Sequence, residues 1–391
     1  MTNTPPLGNI TAVEFLRDYW QKQPLLIRNA IENFHSPLSP DELAGLACEE
    51  DVESRLILEK DGNKPWECRY GPFHENSFAT LPQSHWTLLI QECNKHDVDI
   101  ALLLDRFNFI PNWRVDDVMV SFAPQYGSVG PHVDQYDVFL LQGYGQRRWQ
   151  IHTQPVEESD FIPDLDLRIL KHFVADEEWI LQPGDMLYLP PGVAHNGVAL
   201  EDCITLSIGF RAPSYAELIS SFVEYQLSLL DNDLFAPRYR DPELQVQAHP
   251  GEIPGDILSK IQNLIKNELN QSKTVERWFA SFVTEPKHAP LDPLYPEITP
   301  QKFLQSFQGI GTLFRSEYSR FSFIRLNKDE VRLYIDGEET KLTGPMQDLA
   351  PLICDQRQYS FAELEQLLQD PAVAQFFTQL TNSGKLWFMD E

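Results

Sequence analysis

Three residues of this chain have the types and spacing to hold a metal ion. His132 and Asp134 stand two apart in "GPHVDQYDV", within a short run rich in Val, Tyr and Phe. Side chains alternate along an extended strand, so residues at that spacing share a face, with backbone positions about 7 Å apart. A further donor, His195, follows a β-like run and a Pro-Pro-Gly turn in "PGDMLYLPPGVAHNG". Two imidazoles and one carboxylate on one face of an octahedron leave three positions open, the donor set of non-haem Fe(II) oxygenases. An HxD pair alone is a weak signal, since Asp134 could end a strand and His195 could cap a turn. The three together make metal chemistry the expectation.

Such donors need rigid elements beneath them. From about 54 to 210 the chain runs through short β-rich segments, among them "SRLILEK", "DVMVSFA", "DVFLLQGYG", "RRWQIHT", "DMLYLPP" and "CITLSIGF". Short strands separated by turn residues predict a sandwich or barrel rather than a parallel sheet. Gly130 and Pro131 bring the chain sharply into the strand that carries His132 and Asp134. Upstream, residues 10–30 predict a helix with Val13, Leu16 and Trp20 at helical spacing, then an extended piece after Pro24. "SPDELAGLA" predicts a helix capped by Ser39 with Pro40 in its first turn.

After Pro213 the texture becomes helical. Residues 214–233 and 253–283 carry apolar side chains at three and four spacing. A helical pair with a broad apolar stripe needs the barrel, or a second copy of itself, to pack on. The proline-rich stretch 285–300 reads as a linker. Beyond it, "EVRLYIDGEETKL" predicts a strand pair about an Asp336-Gly337 turn, Ser360 and Glu363 form a capping box, and "GKLWFMD" closes as a strand. Helices followed by a terminal strand pair resemble a small winged-helix unit. This one is acidic and lacks a basic stripe, so a structural or protein-contact role is expected of it.

Composition narrows the partners. The 391 residues suffice for two or three compact units, and 42% hydrophobic content is ordinary for a globular chain. No run approaches the eighteen or so apolar residues of a membrane span, and the opening residues lack a secretory layout. Five scattered cysteines without a CxxC argue against a disulfide framework and for a reducing cytoplasm. With 58 Asp and Glu against 31 Lys and Arg, the formal charge of −27 disfavours a nucleic-acid partner and favours a basic protein.

The motifs "HVD" and "GDMLYLPPGVAH", preceded by "FNFIPNWRVDDVMVSFA" and "FLRDYWQKQPLLIRNA", resemble the JmjC family of 2-oxoglutarate oxygenases. Within it the chain is most similar to the bacterial ribosomal oxygenases, the ribosomal protein arginine hydroxylases. The resemblance spans almost the whole chain. It implies a mainly β fold with added helices: a double-stranded β-helix (jelly-roll or cupin) JmjC barrel over 1–213, a helical dimerisation segment over 214–284, and a winged-helix-like C-terminal domain over 285–391. It implies Fe(II) held by His132, Asp134 and His195, with 2-oxoglutarate and O2 as cosubstrates.

The far carboxylate of 2-oxoglutarate needs a cation, and "GQRRWQI" offers Arg147 and Arg148. Arg147 shares strand parity with Trp149 and Ile151, so an inward apolar face points it into the barrel. The family also places its 2-oxoglutarate base at the second residue after the glycine, here Arg147, and Ser121 matches its hydroxyl partner. Asp117, Met119 and Ser121 share one face of "DDVMVSF", which puts Asp117 nearer the mouth, able to hold a substrate guanidinium. Tyr136 would line the same entrance, and Gln135 and Asn196 would orient the ligands. The implied reaction couples oxidative decarboxylation to hydroxylation of an arginine β-carbon in large-subunit ribosomal protein sixteen, by a cytoplasmic homodimer. The alternatives are histidyl hydroxylation, lysine demethylation, or a silent cupin that only binds ribosomal proteins.

Overall fold

The computed structural model describes residues 4–59, 66–231, 238–269, 272–288, 296–328 and 330–388. Two helices with capping boxes open the chain: α1 (Ala12–Asp18), closed by Thr11 and Glu14, and α2 (Pro40–Leu46), closed by Ser39 and Glu42. A short strand, β1 (Leu25–Ile27), lies between them. α1 packs through Phe15, flanked by Ala12 and Tyr19, whereas Val13 is 74% exposed and Leu16 is on the same outer side. The apolar spacing of Val13 and Leu16 therefore marks the wrong face. Two aromatic residues of this row, Phe15 and Tyr19, win the core because aromatic area outweighs a single Val or Leu.

The strands that follow are β2 (Ser54–Glu59), β3 (Trp66–Tyr70), β4 (Trp86–Ile90), β5 (Val115–Ala123), β6 (His132–Val133), β7 (Asp137–Tyr144), β8 (Arg147–His152), β9 (Glu177–Leu181), β10 (Met186–Leu189), β11 (Ala194–Ala199) and β12 (Cys203–Phe210). Helices α3 (Glu75–Ala79) and α4 (Val98–Leu103) interrupt them. One sheet has eight strands in the order β1-β10-β7-β12-β5-β4-β2-β3, and a facing sheet has four, β6-β11-β8-β9. All their pairings are antiparallel. This is the double-stranded β-helix expected from the sequence, and two-residue alternation divides its side chains between two cores. Val138, Leu140, Trp149, Ile151, Leu181, Leu187 and Leu189 fill the space between the sheets. Phe139, Leu141, Tyr188 and Phe210 face the other way, onto Phe15 and Phe107. Each fully buried side chain of this kind contributes about 1.5–3 kcal/mol.

Buried polar groups tie the N-terminal segment to the barrel. Asp137 is wholly buried and accepts hydrogen bonds from Tyr188 Oη at 2.7 Å, Gln21 Nε2 at 2.9 Å and Arg114 Nη2 at 3.2 Å. Tyr188 Oη in turn accepts from the Gln21 backbone N–H at 2.8 Å.

Over the predicted helical pair the described residues form three helices, α5 (Tyr215–Asp231), α6 (Gly255–Leu269) and α7 (Ser272–Thr284); residues 232–233 and 270–271 lie outside the described residues. Trp278 of α7 packs at a tilt against Phe222 of α5, and Phe279 meets Trp113 of the barrel unit edge-on. The apolar row Tyr215, Ile219, Val223 and Leu227 on α5 is exposed, as is Leu258, Ile261, Leu264 and Ile265 on α6. The remaining chain folds from α8 (Pro300–Ile310), β13 (Thr312–Arg315), β14 (Phe321–Asn327), β15 (Glu330–Ile335), β16 (Glu338–Leu342), α9 (Leu349–Asp355), β17 (Gln358–Ser360), α10 (Phe361–Leu364), α11 (Pro371–Asn382) and β18 (Leu386–Phe388). Its core centres on Phe303, Phe307, Phe377 and Leu313. The Asp336-Gly337 turn joins β15 to β16, and Ser360 with Glu363 closes the capping box of α10, as predicted. Arg357 is clamped between Asp105 of the barrel unit and Glu317, which fastens this domain to the barrel. No helix among the described residues is long and apolar enough to cross a membrane.

Candidate metal and cosubstrate centre

The two-residue β6 carries His132, with Asp134 just past its end. Gly130, at φ +81, sits against Ile169, where a Cβ would lie 2.9 Å from that side chain. Only glycine fits the turn that aims β6 inward. β11 pairs with β6 so that His195 lies directly opposite His132. Residues 63 positions apart in sequence thus become cross-strand neighbours with imidazole centroids 4.2 Å apart. Asp134 Oδ2 lies 4.0 Å from His132 Nε2 and 3.6 Å from His195 Nε2. One donor atom from each of the three residues falls within 4.8 Å of the others, the one such group among the described residues.

Both imidazoles are oriented by main chain. His132 Nδ1 bonds the Gly130 carbonyl at 2.9 Å, and His195 Nδ1 bonds the Val193 carbonyl at 3.0 Å. Carbonyls only accept, so both Nδ1 atoms carry protons and both Nε2 lone pairs point at the shared space. Burial, with His132 as neighbour, pushes His195 down to about 4, which keeps its ring neutral and a competent donor. Gln135 is exposed, and Asn196 turns away to Ser128 and Gln150. The expected orienting role therefore falls to two carbonyls, because residues adjacent to a ligand point to the opposite face of a strand.

The three donors open into a cavity of about 310 Å³ that also reaches Ser121, Arg147, Asp117, Met119 and Tyr136. Arg147 lies at its depth, 2% exposed, on the buried face of β8 with Trp149 and Ile151, alternating with half-buried residues. Arg148 faces outward toward Glu178, as the parity argument requires. The Arg147 guanidinium donates to Ser121 Oγ at 3.4 Å and to the Gly197 carbonyl at 3.3 Å, lies over the Trp149 ring, and leaves Nε unsatisfied. No carboxylate pairs with it among the described residues. A buried cation without a counter-ion costs several kcal/mol, so this position fits a dicarboxylate that supplies the missing charge. The imidazole-carboxylate donor set equally fits Fe(II).

Gly197 was not legible as a site residue. A Cβ there would meet Arg147 Nε and two Trp149 ring carbons at 2.7 Å each, so its lack of a side chain is what admits the guanidinium. Nearer the mouth, Asp117 is 5% exposed, and its Oδ2 accepts from Gln91 Nε2 at 2.6 Å and from the Glu92 backbone N–H at 3.1 Å. Burial raises Asp117 above the ordinary carboxylate range, while Lys287 pulls it back. Met119 is half-buried on the cavity wall, and Tyr136 stands more exposed at its edge. Gln91 and Arg55 also line the cavity, and the sequence held no signal for either.

Residues 102–218 match the JmjC domain family, and residues 264–386 match the ROXA-like winged helix. Over 380 residues the chain is 36% identical to the ribosomal protein uL16 3-hydroxylase of Escherichia coli strain K12, covering 96% of this chain and 97% of that one. It is 36% identical to a probable ribosomal oxygenase of Haemophilus influenzae over 280 residues, 70% of this chain and 68% of the other. The X-ray structure of E. coli YcfD superposes with a TM-score of 0.86 at 34% identity, covering 97% of this chain and 99% of that one. The structure of YcfD in complex with cobalt and 2-oxoglutarate superposes with a TM-score of 0.82 at 33% identity, over 98% and 99% of the two chains.

Proposed function

The chain belongs to the JmjC ribosomal oxygenases, enzymes dependent on Fe(II), 2-oxoglutarate and O2, and from that premise we propose that it hydroxylates the β-carbon of an arginine in large-subunit ribosomal protein sixteen. The observation that carries the reading is Arg147, a buried cation with no protein counter-ion, lying behind a converged His132, Asp134 and His195. A scaffold that merely bound ribosomal proteins would have no use for such a group.

His132, Asp134 and His195 would hold the iron through Nε2, Oδ2 and Nε2. Arg147, steadied by Ser121 Oγ, would take the far carboxylate of 2-oxoglutarate and fix that molecule's register in the barrel. Bound iron and 2-oxoglutarate supply the oxidising power. The chain supplies alignment, a dry wall of Val138, Leu140 and Trp149, and a C–H held within reach. Asp117 would pair with the substrate guanidinium while Met119 and Tyr136 flank its aliphatic stem.

A surface of charge −27 suits a basic client by long-range attraction. The exposed apolar rows of α5 and α6 suit a homodimer built on these helices, working in the cytoplasm where ribosomes assemble. The test incubates the full chain with Fe(II), 2-oxoglutarate and purified ribosomal proteins, followed by tandem mass spectrometry. A gain of one oxygen on an arginine of protein sixteen, lost in Asp134→Ala, is expected. Loss of methyl groups, oxidation of a histidine, or equal activity in the variant would refute the assignment.

A further inference from the structure

The cavity wall holds a polar relay that neither the metal nor 2-oxoglutarate needs. Gln91 follows directly on β4, anchored by its backbone N–H to the Glu53 carbonyl at 2.9 Å. Its Nε2 donates to Asp117 Oδ2 at 2.6 Å, and its Oε1 accepts from Arg55 Nη2 at 3.4 Å. The amide has only one satisfying orientation, since an ionised carboxylate only accepts and a guanidinium only donates. Glu92, turned into the left-handed region at φ +52, adds its own N–H to the same Oδ2. Both donors converge on one oxygen and so fix the plane of the carboxylate. Oδ1 lies on the side of Gly209, where a Cβ would sit 3.5 Å from it.

From this geometry we infer that Gln91 is a positioning residue for substrate arginine, holding Asp117 in one orientation and keeping Arg55 from occupying it. The inference rests on the reading of Asp117 as the guanidinium partner. An arginine beside a buried carboxylate is its natural counter-ion, and a direct Arg55–Asp117 pair would compete with the substrate for the same oxygens. The neutral amide accepts from the cation, donates to the anion and separates the two. Asp117 thus stays oriented and available.

Two variants and a crystal structure test this. Gln91→Ala should raise the KM for ribosomal protein sixteen about 10- to 100-fold, the scale of one hydrogen bond to a charged group. Its kcat and its KM for 2-oxoglutarate should stay within about twofold. The double variant Arg55→Met with Gln91→Ala should recover part of the loss, because Arg55 can no longer cap Asp117, whereas simple structural damage would compound. A single-variant KM within twofold of the parent, or a double variant weaker than the single, overturns the inference. A parent enzyme that turns over 2-oxoglutarate without hydroxylating protein sixteen would sink the proposed substrate instead. The crystal structure of Gln91→Ala then decides the relay by itself. Arg55 within hydrogen-bond distance of Asp117 supports it, and Arg55 unmoved overturns it.

Discussion

Replacing Gly197 with alanine tests whether Arg147 is the cosubstrate's counter-ion. The new methyl would lie 2.7 Å from Arg147 Nε and from two carbons of Trp149, about 0.8 Å inside the ~3.5 Å of a comfortable contact. Trp149 is 4% exposed and packed among Val138, Leu140 and Leu187, so it has nowhere to go. The guanidinium must move, away from Ser121 Oγ and the axis of the cavity. Overpacking of this kind costs about 1–3 kcal/mol of stability. Loss of the charge-assisted pair to the far carboxylate costs about 1.5–3 kcal/mol in binding, which is roughly a 10- to 150-fold rise in the KM for 2-oxoglutarate. Succinate release measured against 2-oxoglutarate concentration gives that number directly. Metal binding, followed by titration with Mn(II), should stay within about threefold, because the imidazoles are held by the Gly130 and Val193 carbonyls and not by Arg147. An unchanged KM for 2-oxoglutarate in a folded Gly197→Ala protein would refute Arg147 as the carboxylate's partner.

Three further outcomes follow from the same geometry. Tyr188→Phe removes a donor to Asp137 and an acceptor for Gln21 N–H in a sealed setting, so urea unfolding should show about 2–3 kcal/mol of lost stability, with 2-oxoglutarate turnover in the folded state unchanged; an unaltered midpoint would contradict it. Asp117 has a folded pKa above its unfolded value, so it binds its proton more tightly when folded; its contribution to stability is present below the unfolded value and is lost as pH rises through the folded one. Asp117→Asn should accordingly melt higher than the parent at pH 7 and lose that advantage in acid, while the parent's kcat/KM for protein substrate should fall in acid at a pH above the ~4 of an exposed aspartate; the opposite trend in melting would refute the burial argument. The proposed pairing through α5 and α6 predicts a dimer in sedimentation that Ile265→Glu with Leu258→Glu converts to monomer; a monomeric parent would refute the pairing, and an unchanged dimer would move the interface off α6.

The sequence alone determined what is periodic or locally encoded. Two-residue alternation placed Arg147 with Trp149 facing inward along β8, and His132 with Asp134 on one side although β6 ends at Val133, because alternation belongs to the extended backbone itself. Caps at Ser39 and Ser360 and the Asp336-Gly337 turn were legible for the same reason: the hydrogen bonds involved close within four residues. The tertiary structure decided everything that required two distant segments to meet. It set His195 opposite His132 across β6 and β11, gave the imidazoles their backbone carbonyls, and brought Gln91 to Asp117. It also turned α1 onto Phe15 and left Val13 in water, although Val13 and Leu16 keep helical spacing. Gly197 shows the limit most plainly. A glycine in a strand carries no mark of the guanidinium and indole that will fill the space it leaves, since that space exists only once β8 and β11 lie side by side.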